Sequence, residues 1–217
     1  MNNKSLWNII TLVELVVAAA VVLLDLFLPT IVILGMIFVS LLIRREHIRS
    51  LGFKRPQSWA RMVGFAFIGA VFLQLFDVGV VLPIMNRLTG TTIEYSGFAN
   101  LKGNMGQLVL LLAFSWTLAA LGEEMVYRGY FQKLLTDLFG SKLPGILLTI
   151  GISSLLFGLA HTEQGLIGVV VTAVDALFYS WLKLKFDNLW VAILAHGFYN
   201  SIGVIVFFFT GPIYGLW

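Results

Sequence analysis

The sequence predicts an all-α, polytopic integral membrane bundle of about seven to eight transmembrane helices. Three observations carry this reading. Hydrophobic residues make up 59% of the 217-residue chain and charged residues only 12%, against roughly half and a quarter in soluble domains. About seven apolar stretches approach the ~20 residues that a ~30 Å hydrocarbon core requires. Basic residues collect in alternate connections between those stretches, the pattern of the positive-inside rule.

The first stretch covers roughly 8–26. Its apolar run contains Glu14 and continues past any cleavage site at Ala18–Ala20, so it reads as a retained helix and not as a secretory signal. The second covers 29–43, with Pro29 at the bend, the third 60–82 and the fourth 106–132. The last three cover about 145–161, 166–182 and 189–209, and the length suits a single transmembrane domain over 1–217. The absence of cysteine excludes disulfides and thiolate metal sites.

The connections test this register. Arg44, Arg45, Arg49, Lys54, Arg55 and Arg61 fall in one loop, and Lys4, Lys133, Lys142, Lys183 and Lys185 fall on the same side. The opposite side holds only Arg87 and Lys102. The amino terminus and the basic 44–61 loop are therefore expected in the cytoplasm; the carboxyl terminus is left open. The net charge of +3 is explained by topology, so nucleic acid is not an expected partner and the lipid bilayer is.

Ionisable groups inside spans cost several kcal/mol unless partnered and are functional candidates. Glu14 and Asp25 are expected on one helix face, pointing into the bundle or toward an interface. Asp77 lies near the outer end of its span and is expected to reach water. Asp175 is deeper, either an inward hydrogen-bonding residue or a support for the site. In "LGEEMVYRGY", Glu124 and Arg128 are spaced i,i+4 and can neutralise each other while fixing the helix. Glu123 lies ~100° around the helix from Glu124 and is left facing another helix.

Two of the three histidines complete the set. His161 ends "FGLAH"; His196 opens "HGFYN", with Asn200 on the same helix face. A desolvated carboxylate can take a proton from water. Imidazoles can hold that water or a metal, and an Asn amide can stabilise an oxyanion. His161, His196 and Glu123 also match the donor set of a catalytic divalent metal with an open position, zinc being the first choice; the alternative is no metal.

In order, "EEMVYR", "FGLAH" and "HGFYN" match Glu-Glu-x-x-x-Arg, Phe-x-x-x-His and His-x-x-x-Asn motifs. Together they resemble the CPBP family of CAAX-processing and bacteriocin-processing intramembrane endopeptidases, also called the Abi family. The resemblance covers about 105–205, while 1–104 carries no family signature. It implies that Glu123 activates water, that His161 and His196 hold water or metal, and that Asn200 serves the oxyanion. It also implies that Glu124 and Arg128 support the first motif, with Phe157 packing one turn before His161. The implied substrate is a membrane-associated peptide or protein.

Depth raises one difficulty. Glu123 and His196 lie about ten residues from cytoplasmic lysines, ~15 Å deep, whereas His161 follows Lys142 by 19 residues. The motifs meet if 136–146 lies along the interface or the fifth helix tilts. Two other functions fit less well. A non-catalytic immunity or chaperone-like partner needs no complete polar set, and a proton-relaying transporter is expected to show inverted repeats, which are not evident.

Overall fold

The computed structural model describes residues 3–212. The first two residues and 213–217 lie outside the described residues, as do the side chain of Lys4 and the expected location of the amino terminus. Lipid cannot satisfy backbone N–H and C=O groups, so each spanning segment closes its own hydrogen bonds as a helix. The described residues form seven helical rods without a strand: α1 (Asn3–Leu23), α2 (Pro29–Arg44), α3 (Trp59–Thr89), α4 (Met105–Phe139), α5 (Leu143–Leu159), α6 (Gly165–Phe186) and α7 (Leu189–Thr210). Five of them, α1, α3, α4, α6 and α7, are long and apolar enough to cross a membrane. The apolar α2 and α5 have 16 and 17 residues, reaching about 24–26 Å at the helical rise, slightly short of the core thickness.

Local chemistry sets the helix ends. Pro29 and Pro144 occupy first turns, where a missing N–H costs nothing. The side chains of Asn104 and Asn188 accept from the N–H groups of Gln107 and Trp190 at 3.1 and 3.0 Å, capping α4 and α7. α1 stops at Leu23, earlier than expected, and Asp25 follows at φ +46° in an exposed turn. Asp25 therefore does not share a helix face with Glu14. Glu14 pairs instead with Arg44 at 2.5 Å, and Arg44 also donates to Thr11 Oγ1 and Ser40 Oγ, tying α1 to α2.

The two ends of the bundle differ in charge. At one end the basic loop meets α4 through Lys133–Glu46 at 3.3 Å and meets the α6–α7 turn through the Lys54–Asp187 ion pair. There Asn188 Nδ2 donates to Lys54 O at 2.9 Å and Leu189 N to Gly52 O at 2.9 Å. At the other end, the 90–104 loop is held by Glu94 N to Gln164 O and by Gly103 N to Phe208 O. The Ser96 N–H donates to Glu94 Oε1 at 2.6 Å and holds that carboxyl below its ordinary range. The alternating basic pattern thus maps onto a real segregation of loops.

The two largest apolar clusters fill much of the interior. One joins α1, α2, the second half of α4 and α5 through Leu15, Ile33, Phe131, Leu134 and Phe157. The other joins α3, α6 and α7 through Met62, Leu73, Tyr179 and Ala195. Ala120 of α4 packs with Leu189 and Ile193 of α7, so α4 links both clusters.

The depth difficulty resolves at the α4–α5 turn. α4 runs to Phe139, past the expected end at 132, and turns at Gly140 with φ +82°. Glu123 precedes Gly140 by 17 residues and His161 follows Leu143 by 18. The chain descends and ascends by similar lengths, which returns His161 to the level of Glu123. Helix occupies 136–139 and 143–146, with the turn between them.

Candidate active site

α4 is not a uniform α-helix. Ser115–Glu123 and Met125–Phe131 are wound as π-helix, an infrequent i→i+5 geometry that gathers at functional sites. Glu124 itself keeps helical φ and ψ of -66° and -35°, so Glu123 and Glu124 still point in different directions around the helix. The two carboxylates flank one imidazole: His196 Nδ1 lies 2.9 Å from Glu124 Oε1, and His196 Nε2 lies 4.0 Å from Glu123 Oε2.

This geometry fixes the tautomer. A carboxylate accepts, so His196 Nδ1 carries the proton and donates it to Glu124, leaving the Nε2 lone pair toward Glu123. His161 obeys the same logic. Its Nδ1 lies 2.8 Å from Phe157 O, a carbonyl that only accepts, so Nδ1 donates and Nε2 is free. The gap from His196 Nε2 to Glu123 Oε2 exceeds a direct hydrogen bond and suits a bridging water.

Glu124 does more than neutralise Arg128. The pair is present at 3.0 Å with both side chains almost completely buried, but Glu124 also orients His196. The Arg128 guanidinium lies over Phe157 at 4.4 Å and Tyr179 at 5.3 Å. Phe157 in turn meets His161 at 4.7 Å and His196 at 6.0 Å between ring centroids, and Tyr179 stacks on His196 at 5.0 Å. Packing on aromatic faces holds a charge that has few other polar neighbours.

Small residues allow these helices to approach. A Cβ on Gly197 would meet the Trp116 ring at 2.5 Å, and one on Gly158 would meet Val169 O at 2.5 Å. Trp116 Nε1 donates to Ser201 Oγ at 3.0 Å, so α4 docks on α7 beside His196. Below the site, Lys183 of α6 donates to Arg128 O and to Gln132 Oε1, and Gln132 Nε2 donates to Ser153 and Ser180. These contacts fasten α4 to α5 and α6.

Glu123, His161, His196 and Asn200 all line one cavity of about 630 Å³, with Phe157 in its wall. Glu123 keeps 20% of its side chain exposed to it. Among the described residues, Asn200 makes no hydrogen bond and its amide is uncommitted. The cavity runs from this set toward Thr92, Tyr95, Phe98 and Phe207, the end away from the basic loops. Phe114 and Leu118, two exposed apolar side chains, also line it.

The Nε2 lone pairs of His161 and His196 with Glu123 have the donor chemistry of a metal set. Their placement does not fit one. Among the described residues, no group of three His, Asp or Glu side chains is gathered closely enough to hold a metal ion.

Sequence reasoning missed a second polar group on the same wall. Asp77, expected to reach water, is buried and accepts from Tyr199 Oη at 2.7 Å. Asp175 is also buried and lines the cavity beside it. The intramembrane carboxylates themselves were the available signal; nothing in the chain order pairs them.

Comparison with known proteins agrees with the motifs. Residues 105–202 match the family described as Type II CAAX prenyl endopeptidase Rce1-like. No curated protein and no solved structure matches the chain. The matched segment runs from the start of α4 to the second half of α7 and contains every residue of the three motifs. In agreement with the CPBP resemblance, the part of the chain that builds this site is similar to the Rce1-like type II CAAX prenyl endopeptidase family.

Proposed function

We propose that this protein is an intramembrane endopeptidase that hydrolyses a peptide bond by a glutamate-activated water. The observation that carries the reading is the convergence of Glu123, His161, His196 and Asn200 on one cavity inside a membrane bundle. A water between Glu123 and His196 Nε2 loses a proton to Glu123 and attacks the substrate carbonyl carbon. The oxyanion accepts a hydrogen bond from the Asn200 amide. Glu123 returns the proton to the leaving amine as the C–N bond breaks, giving a carboxylic acid and an amine. Glu124 holds the His196 Nδ1 proton and so keeps the Nε2 lone pair on the water, and the free His161 Nε2 holds water or the substrate. No step is routed through a metal; chelators are expected to leave activity intact.

The substrate is a membrane-associated peptide or protein. The exposed apolar lining at Phe114 and Leu118 favours a segment arriving from lipid, of the CAAX-type or bacteriocin-like kind. All seven rods cross or nearly cross the bilayer in this reading, with the basic 44–61 end in the cytoplasm. Peptide termini in membranes carrying wild type or Glu123→Gln, at equal protein levels, test the proposal by mass spectrometry. Termini that depend on Glu123 are expected. Their absence across growth conditions overturns the protease reading in favour of a non-catalytic membrane partner.

A further inference from the structure

Asp77 and Asp175 form a buried carboxyl pair without a cation. α3 is wound as π-helix over Asp77–Val81, so π-winding recurs at two places facing the same cavity, Glu123 and Asp77. The two carboxyl groups are close enough to share a hydrogen bond. Asp77 Oδ2 receives the Tyr199 hydroxyl, yet Asp77 Oδ1 and Asp175 Oδ1 have no donor among the described residues. Tyr179, one turn beyond Asp175, leaves its own buried hydroxyl unpartnered on the same wall. Gln74 Nε2 donates to Tyr199 O at 3.1 Å. No Lys, Arg or His forms an ion pair with either aspartate among the described residues.

Two buried carboxylates side by side do not both stay ionised and unpaired. A proton or another cation must sit between them. Both aspartates, Tyr179 and the reacting residues line one volume of about 630 Å³, so a ligand reaching Glu123 also reaches the pair.

We propose that Asp77 and Asp175, with Tyr179 and Tyr199, form an acidic subsite that receives a cationic side chain, Lys or Arg, of the bound peptide. The ammonium or guanidinium displaces the shared proton and donates to the oxygens that lack donors. Apolar cavity walls take the neighbouring side chains. The subsite deepens the endopeptidase reading by naming a substrate class, and it rests on that reading only for its role in cleavage.

Binding separates the two. The full chain carrying Glu123→Gln, in nanodiscs, is titrated with fluorescent apolar peptides that are identical except for Lys or norleucine at one scanned position. Lys at one position is expected to tighten binding by about 30-fold or more, the range of buried charge contacts. The Asp77→Asn/Asp175→Asn double variant is expected to remove that preference while still binding the norleucine peptide. Equal binding of the two peptides at every position overturns the subsite. So does a preference that survives in the double variant. Should the double variant misfold, Asp77→Asn alone is read in the same way. A Lys preference in this assay, with no cleavage by wild type, leaves the subsite standing and removes the protease.

Discussion

Replacing Glu124 with Gln tests the electrostatics of the site most directly. Glu124 is fully buried and sits between His196 Nδ1 at 2.9 Å and Arg128 Nη1 at 3.0 Å. The change keeps an acceptor oxygen for His196 but strands the buried guanidinium of Arg128. Breaking a buried pair on one side costs about 3–5 kcal/mol. The faces of Phe157 and Tyr179, at 4.4 and 5.3 Å, retain up to about 2 kcal/mol of cation–π attraction. The net loss is then about 1–3 kcal/mol, or roughly 5–150-fold in the folding equilibrium. Adding Arg128→Met removes the stranded charge and is expected to restore most of that stability. Activity should not return, because a neutral amide is a weaker acceptor for the His196 Nδ1–H than the carboxylate that orients it; a fall of about 100-fold or more is expected in both variants. Thermal unfolding in one detergent reads stability, and peptide hydrolysis in nanodiscs reads activity. A double variant no more stable than Glu124→Gln would refute the argument that Arg128 depends on Glu124.

Other consequences follow from the same contacts. Gly197→Ala places a methyl group 2.5 Å from the Trp116 ring. It should cost about 1–3 kcal/mol by overpacking and lower kcat by moving α4 from His196; adding Trp116→Leu should recover part of the unfolding temperature. Asn200→Ala should lower kcat by about 100–1000-fold with a smaller change in KM, because the amide acts on charge that develops in the transition state. An equal loss in binding, measured with the Glu123→Gln background, would make Asn200 a substrate-binding group instead.

Sequence alone was enough for the local half of this site. Composition dictates lipid as solvent, and lipid dictates helices, because no water is present to satisfy an open backbone. The i,i+4 spacings made the Glu124–Arg128 pair and the shared face of His196 and Asn200 legible, since they depend only on helical repeat. The alternation of basic loops likewise anticipated the two ends of the bundle. Relations between helices were decided elsewhere. The level of His161 depends on α4 continuing to Phe139 before the turn at Gly140, which an apolar count ending at 132 could not register. The π-winding of α4 and the seat of Trp116 on Gly197, which place α4 beside His196, are not written in residue spacing. Asp77 and Asp175 are a pair only because α3 and α6 face one cavity. Helical periodicity is written in neighbouring residues; close packing between distant helices is settled by shape and by the cost of burying charge unpaired, and only the tertiary structure contains it.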